Sequence, residues 1–362
     1  MVRDIFEDLF ILEMTNNHKG DVKRGLEIVH QFSRVARFNN VRTAIKFQFR
    51  DIDSFVHKDF RNRDDIYYVR RVLDTRLTVE EYGALVEAVK KSNCIPMTTP
   101  FDEKSVDLVE HFDLPFIKIA SSGCNDWMLI ERIAKAKKPV IVSVGGMSLK
   151  DMDDMVTFFE NRNIPLALLH CVAAYPIEDS ALQLNQIDFL KNRYPNHTIG
   201  LSSHEYHDWH SSITAAYAKG ARIFERHIDI NTDGAKIAPY SSLPHQIDTW
   251  YKAWHHAKLI CGASGETRLM PIDKEIEYLH SYIRGVYAKR YLEEGETISE
   301  SDIYLAIPLQ KGQLSCRELM LGQWGHKILK TIDIDQPIMI DDIDTPYTAN
   351  DDLKKIIYDR GI

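Results

Sequence analysis

The sequence predicts an α/β protein built as a (β/α)8 TIM barrel, followed by a small β-rich domain. Eight short apolar runs rich in β-branched residues recur between residues 9 and 228, and amphipathic helical stretches separate them. The apolar character is nearly continuous within each run, which is typical of parallel strands buried on both faces. Eight strands alternating with eight helices favour a closed barrel. A doubly wound open sheet is the alternative, but no GxGxxG motif follows the first run.

Each predicted strand ends in polar residues. The strands cover residues 9–14, 43–49, 95–101, 116–122, 139–145, 165–171, 197–204 and 222–228. The helices cover residues 21–37, 79–93, 103–113, 127–137, 149–162, 182–193, 209–220 and 244–262. Thr78 precedes acidic residues at the start of the second helix, as an N-cap does. Residues 50–78 are too long for a plain loop and predict an insertion over the barrel mouth.

The pattern changes after the last predicted helix. Short alternating runs broken by Gly, Pro and acidic residues replace the βα rhythm. We therefore expect a TIM barrel catalytic domain over residues 1–265, a linker over 266–283, a β-rich domain over 284–346 and a C-terminal tail over 347–362.

Composition excludes several classes of protein. The 362 residues are 44% hydrophobic and 27% charged, with a formal net charge of −8, which argues against a general nucleic-acid binder. A local basic pocket for a small anion stays open. The five cysteines form no CxxC pair, which favours a reducing compartment. Neither a signal peptide nor an apolar run long enough to span a bilayer is expected, so we predict a cytoplasmic protein with no membrane partner.

Two lysines lie within apolar strand sequence. Barrel active sites form at the C-terminal ends of the strands, and Lys46 and Lys118 fall there. Lys is rarely buried without a partner. Both lysines could converge on an anion such as a phosphate or carboxylate, or they could form ion pairs with Glu13 or Glu225. Neutral donors at neighbouring strand ends would complete an anion site: Thr99, Ser121 and Ser143.

Two histidines end the seventh and eighth strands, which are neighbours in a barrel. His204 and His227 suit a divalent transition metal with open positions for water or substrate. They could equally be core histidines, or one could act alone as an acid–base group. Glu13, at the end of the first strand, could orient a hydroxyl or transfer a proton, or it could simply pair with a lysine.

The strand-end segments, taken in order, resemble those of the sialic acid synthase family, which condenses phosphoenolpyruvate (PEP) with a sugar aldehyde. They are EMTNNHKGD, KFQ, TTPFD, KIASS, SVGGM, LLHCVAAYP, IGLSSH and ERH. The likeness spans residues 8–345, and the C-terminal runs resemble the family's small antifreeze-like (SAF) domain. It implies a PEP-dependent transferase that makes a 3-deoxy-2-ulosonic acid, with Mn²⁺ or Mg²⁺. It also implies a domain-swapped homodimer in which one SAF domain caps the partner's barrel.

The resemblance also implies roles for individual residues. The catalytic set is Glu13, Lys46, Lys118, His204 and His227, with the two histidines as metal ligands. The substrate-binding set is Thr99, Ser121, Ser143, Tyr175, Ser202, Gln48, Asn17 and Lys236. We expect the lysines and hydroxyls to hold the phosphate and carboxylate of PEP.

Four positions depart from the family pattern. Gly123 replaces a glutamate, Ser203 replaces an aspartate, Lys236 aligns with an acid and Ile307 stands where an arginine is expected. These changes fall mostly on the sugar side, so we expect an acceptor other than plain N-acetylmannosamine. A metal-dependent pyruvate aldolase or lyase, and a catalytically silent sugar-binding relative, are the alternatives.

Overall fold

The computed structural model describes residues 4–232, 234, 236–263, 265, 267–321, 325–345 and 348–362. The chain forms two compact units, residues 1–263 and residues 264–362. No helix among those described combines the length and the apolar character that a bilayer crossing requires.

Eight parallel strands close into a barrel in the first unit, which confirms the predicted TIM barrel. Strand β1 pairs in parallel with β2 on one side and with β8 on the other, so the ring has no edge. The strands are Leu9–Glu13 (β1), Thr43–Phe49 (β2), Ile95–Pro100 (β3), Ile117–Ile119 (β4), Val140–Ser143 (β5), Leu166–Cys171 (β6), Thr198–Ser203 (β7) and Ile223–Ile228 (β8). A short strand, Ser241–Ser242 (β9), pairs in parallel with the end of β8.

Helices follow the strands around the barrel, and the eight predicted helices are present with ends shifted by a few residues. Two further helices lie in the predicted insertion after β2. The helices are Val22–Phe38 (α1), Ile52–Phe55 (α2), Tyr67–Asp74 (α3), Val79–Lys91 (α4), Glu103–His111 (α5), Trp127–Lys135 (α6), Leu149–Glu160 (α7), Gln186–Arg193 (α8), Ser211–Ala218 (α9) and Pro244–Cys261 (α10).

Side-chain caps fix the starts of α4 and α5, the two helices that follow the insertion along the chain. The Thr78 hydroxyl accepts from the Glu81 amide at 3.2 Å, and the Glu81 carboxylate accepts from the Thr78 amide at 2.8 Å. This capping box confirms the predicted N-cap of α4. Asp102 accepts from the Ser105 amide at the start of α5 and also from the Asp51 amide, both at 2.8 Å. It thereby ties the beginning of the insertion to the end of β3.

The inward face of the barrel changes from apolar to polar along each strand. Alternate strand residues point inward, and those on the N-terminal side form an apolar floor that includes Leu9, Ile11, Ala44, Met97, Ile141, Ala167, Leu169 and Ile223. The next inward residues are buried and polar: Glu13, Lys46, Thr99, Lys118, Ser143, Ser202, Glu225 and His227. The packed floor closes the barrel below this polar layer, so ligands reach the polar side chains from the C-terminal face.

The second unit has its own core. Gly285–Ala288 (β10) pairs antiparallel with Ile303–Ala306 (β11), and further isolated antiparallel bridges join its loops. Its helices are Asp273–His280 (α11), Cys316–Leu321 (α12) and Asp351–Tyr358 (α13). Ile357 of α13 belongs to the buried core, and Arg360 forms a bidentate hydrogen-bonded pair with Glu318.

Candidate functional site

Four charged side chains meet at the C-terminal ends of the strands, and each is 2–3% exposed. They are Glu13, Lys46, Lys118 and Glu225. Lys46 forms an ion pair with Glu13, and its Nζ lies 3.3 Å from Oε2 of Glu225. Lys118 Nζ lies 3.4 Å from Oε1 of the same carboxylate. Glu225 therefore bridges the two lysines, and the ion pairs that the sequence left open are present in this structure.

Hydroxyl groups surround the lysines. Lys118 donates to Ser143 Oγ at 2.6 Å, and Lys46 donates to Thr99 Oγ1 at 3.4 Å. Ser202 donates to Glu225 at 2.9 Å. Three of the predicted donors thus lie in contact with the charged cluster. Ser121 lies in the turn after β4, and its Oγ contacts the Ser143 carbonyl at 3.4 Å.

Burial and neighbouring charges shift the pKa values of the two carboxyl groups in opposite directions. Burial raises the pKa of Glu13 above its ordinary value, although Lys46 opposes that change. Burial also acts to raise the pKa of Glu225, but Lys118 and Lys46 outweigh it and lower that pKa to about 2. Glu225 is the permanent anion, and Glu13 is the group better able to hold a proton. When Glu13 is protonated, Lys46 and Lys118 face only the Glu225 carboxylate. The cluster then has a net positive charge, which favours the binding of an anion.

The two histidines lie side by side, with ring centroids 5.2 Å apart. His204 Nδ1 lies 3.1 Å from the Val172 carbonyl, which leaves Nε2 for another partner. His227 Nδ1 is buried without a hydrogen-bond partner among the described residues. Burial lowers the pKa of His204 to about 4 and that of His227 well below its ordinary value. Both rings are therefore neutral at pH 7.

These neutral rings fit a divalent metal ion. Metal ligation needs unprotonated imidazole, and an unpartnered buried nitrogen is satisfied by ligation. Within the described part of the chain, no group of three or more His, Cys, Asp or Glu side chains is arranged to hold a metal. The protein would therefore supply two ligands, and substrate or water would complete the coordination.

Two tyrosines cover the histidines. The Tyr175 ring lies 4.1 Å from the His204 ring, and the Tyr240 ring lies 5.1 Å from the His227 ring. The two tyrosine rings are 5.3 Å apart. Tyr175 is 51% exposed, so it lies at the entrance of the site. Aromatic faces beside a polar pocket are suited to packing against the apolar C–H groups of a sugar ring.

Asn17 and Gln48 lie at the mouth, and their side chains bond to the protein. Asn17 Nδ2 donates to the Ile228 carbonyl at 2.7 Å, which ties the loop after β1 to the end of β8. Gln48 Oε1 accepts from Arg50 Nη2 at 2.9 Å. The Arg50 guanidinium also lies 3.8 Å from the centroid of the Phe101 ring. These contacts hold the side chains at the mouth and do not involve the four charged residues below them.

Gly123, one of the four departures from the family pattern, borders a cavity of about 270 Å³ beside the site. Its walls include Phe55, Tyr68, Thr99, Phe101, Ile119 and Gly123. A Cβ added at Gly123 would meet only Ile119 Cγ2, at 3.8 Å, an ordinary contact distance. Lys236 is exposed in the loop between β8 and β9. Its neighbour Ala235, part of the motif alignment at that loop, lies outside the described residues.

Two residues of the site were not among the predicted site residues. Glu225 ends the eighth strand and shares its inward face with His227, but it enters the prediction only as a possible partner for a lysine. In the structure it contacts both lysines and Ser202. Tyr240 comes from a loop, where no strand periodicity applies, and nothing in the sequence pattern marks it.

The chain is similar to a protein family, to named sugar-acid synthases and to a solved structure. A family model described as NeuB family matches residues 39–265. Pseudaminic acid synthase from Campylobacter jejuni is 25% identical over 334 residues, 88% of this chain and 93% of that protein. N-acetylneuraminate-9-phosphate synthase from Drosophila melanogaster is 28% identical over 229 residues, 61% of this chain and 60% of that protein. The solved structure of a Chromobacterium violaceum protein described as spore coat polysaccharide biosynthesis protein E has 37% identity and a TM-score of 0.87, and the match covers 93% of this chain and 100% of that one.

Proposed function

The chain belongs to the NeuB family, and from this premise we propose that it condenses PEP with a sugar aldehyde. The products are a 3-deoxy-2-ulosonic, sialic-acid-like acid and inorganic phosphate. The observation that carries the proposal is the pair of buried lysines at the same barrel mouth as two neighbouring neutral histidines. The names of the pseudaminic acid and N-acetylneuraminate-9-phosphate synthase relatives support it.

In this proposal the lysine cluster binds PEP. Lys46 and Lys118 neutralise its phosphate and carboxylate in a buried setting, where charge-assisted hydrogen bonds are strong. Hydroxyl groups beside the lysines donate to the remaining oxygens: Thr99, Ser121, Ser143 and Ser202. Glu225 contacts both lysines before PEP enters and favours their charged forms, although burial lowers the pKa of Lys118.

His204 and His227 would hold the divalent metal, Mn²⁺ or Mg²⁺. When bound there, the metal supplies Lewis-acid polarisation of the aldehyde oxygen. The acceptor aldehyde therefore belongs beside the histidines, with the Tyr175 and Tyr240 rings packed over the sugar. Asn17, Gln48 and Lys236 border the same mouth and remain proposed substrate contacts.

The reaction joins two carbon atoms and breaks one C–O bond. The electron pair of the PEP double bond forms the bond from C3 to the aldehyde carbon, and the aldehyde oxygen takes up a proton. Glu13, with its raised pKa, holds that proton at the reaction centre and then accepts one from the water that adds at C2. Phosphate leaves from C2 with its oxygen and takes up the proton of the new C2 hydroxyl, and the free keto acid remains.

The departures concern the acceptor. Lys236, at a position where the resemblance predicts an acid, favours an acceptor that carries negative charge over plain N-acetylmannosamine. Ile307, at the position expected for an arginine of the second unit, is 56% exposed. We further propose that this second unit is an SAF domain, that the protein is a domain-swapped homodimer and that it acts in the cytoplasm.

Isothermal titration with PEP and Mn²⁺ tests the first step. We expect Lys46→Ala and Lys118→Ala to weaken PEP binding at least tenfold, while Lys150→Ala, at a side chain that is 80% exposed, leaves it unchanged. Failure of the unaltered protein to bind PEP, or unchanged binding by both buried-lysine variants, would overturn the proposal.

Phosphate release from PEP, screened against phosphorylated and unphosphorylated aldoses, tests the second step. A pyruvate aldolase or lyase would release no phosphate with any aldose. A silent relative would bind PEP without turnover. Gly123, where the resemblance predicts a glutamate, is the one observation that favours the silent relative. Phosphate release rejects both alternatives, and PEP binding without phosphate release supports the silent relative.

A further inference from the structure

The insertion helix α3 packs against the loop that follows β1. Gly20 of that loop has a φ of +72°, and a Cβ built there would lie 2.8 Å from the Asp74 carbonyl oxygen at the end of α3. Only glycine permits this approach. β1 lies between β8 and β2, so the end of α3 lies over the strand ends that bear His227 and Lys46.

One face of α3 turns toward the barrel mouth. Tyr68 OH accepts from Arg50 Nη2 at 3.2 Å. Val72 and Thr75 line a narrow cleft together with Asn16 and Gln48. Positions 68, 72 and 75 are spaced as one helix face, and position 71 falls on the same face, three residues after Tyr68 and four before Thr75.

Adjacent arginines on α3 differ in their partners. Arg70 pairs with Asp74 at 2.8 Å and with Asp64 at 3.3 Å. Arg71 is half-buried, and within the described part of the chain its guanidinium has no hydrogen bond or ion pair. A partly desolvated guanidinium without a counter-ion is unfavourable, so this position is suited to an anion supplied by a ligand.

Arg71 lies outside the charged cluster. Lys46 and Lys118 point into the barrel from β2 and β4, and each already contacts the Glu225 carboxylate. Arg71 stands instead on the insertion helix α3, where Val72 and Thr75, at the end of the helix, line the cleft at the mouth.

We propose that Arg71 binds an anionic group, a phosphate or a carboxylate, carried by the acceptor sugar. The inference rests on the proposed function, which puts the acceptor aldehyde beside the two histidines and the charges of PEP at the lysine cluster. Two lysines and their neighbouring hydroxyl groups already face the charges of PEP, so a guanidinium from the insertion at the mouth is positioned for the far end of the acceptor. It would select anionic acceptors over neutral ones, since a neutral sugar leaves the arginine without a counter-ion.

Steady-state kinetics of phosphate release test this role. The acceptors are aldose 6-phosphates, uronic acids and the neutral aldoses that match them, each with saturating PEP and Mn²⁺. We expect an anionic class to be preferred, and Arg71→Met to raise the KM for that acceptor about tenfold or more. Arg71→Lys should recover part of the loss. Arg70→Met is the matched control and should leave the KM unchanged, and the Kd for PEP should be the same in all variants.

The outcomes separate this inference from the proposed function. Preference for 6-phosphates or for uronic acids identifies the source of the anion. Phosphate release with neutral aldoses only, or an unchanged KM in Arg71→Met, would overturn the role of Arg71 and leave the synthase proposal standing. A weaker Kd for PEP in Arg71→Met would also overturn it, by assigning the arginine to PEP. No phosphate release with any aldose would reject the synthase proposal and the role of Arg71 together.

Discussion

Arg226 donates to the carboxylate of Glu205 at 2.6 Å and to the Glu205 backbone carbonyl at 2.6 Å, and both residues are 1% exposed. Arg226 lies on β8 between Glu225 and His227, with its side chain on the outer face of the barrel. Glu205 directly follows His204. On the outer face of the barrel, this buried pair therefore joins the two strand ends that carry the histidines.

We expect Arg226→Met to lower the free energy of unfolding by about 3–5 kcal/mol, because it leaves the Glu205 carboxylate buried without its cation. Urea denaturation followed by tryptophan fluorescence measures the change. The double variant with Glu205→Met should recover a large part of the loss, since two apolar side chains replace two charges. An unchanged midpoint in the single variant would contradict the pair's structural role.

Two glycines in the barrel should respond differently to alanine. A Cβ at Gly200 on β7 would lie 2.4 Å from the Ile223 carbonyl oxygen, whereas one at Gly123 meets only Ile119, at 3.8 Å. We expect Gly200→Ala to cost about 1–3 kcal/mol or more, because backbone must move, and Gly123→Ala to be close to neutral. Paired thermal melts compare them, and equal losses in the two variants would contradict this account.

The sequence predicts the barrel and the buried, inward-facing position of the site, because both follow from strand periodicity. Lys46 and Lys118 stand out as charges inside apolar runs, and the inward parity of such positions puts them in one layer. The predicted TIM barrel is confirmed by the pairing of β1 with β8. The predicted roles of individual residues remain predictions.

What the sequence could not supply depends on contacts between distant segments. Tyr240 reaches His227 from an irregular loop, and Gly20 lets the end of α3 pack on a loop some fifty residues earlier. Neither contact has a periodic pattern. Likewise, the bridging of both lysines by Glu225 depends on barrel closure, which brings β8 beside β1.

The five cysteines should divide into two classes in the folded protein. Cys261 and Cys316 are exposed, whereas Cys94, Cys124 and Cys171 are buried. Burial raises the pKa of Cys94 and of Cys124 to about 11, so their thiolates are scarce at neutral pH. We expect iodoacetamide to label the two exposed thiols quickly and the other three only after denaturation, as read by mass spectrometry. Rapid labelling of Cys124 in the native protein would contradict the described burial.

His18 should make the stability of the barrel depend on pH. Burial, with a smaller effect from the positive charge of Arg50, lowers the pKa of His18 to about 4 from an ordinary value of 6.5. Between these two values the unfolded chain binds a proton at this site that the folded protein does not, so stability falls as the pH drops from 6.5 to 4. A shift of this size is worth about 3 kcal/mol at the acid end of the window.

We expect His18→Asn to remove that part of the slope, because Asn keeps an acceptor for the Gly20 amide, which lies 3.2 Å from His18 Nδ1, and cannot be protonated there. The measurement is urea denaturation at several pH values between about 4 and 7. The exposed His256 provides the control, and His256→Asn should keep the slope of the unaltered protein. Equal slopes in the His18 variant and the unaltered protein would assign the acid sensitivity to other buried histidines, of which His204 has the same lowered pKa of about 4.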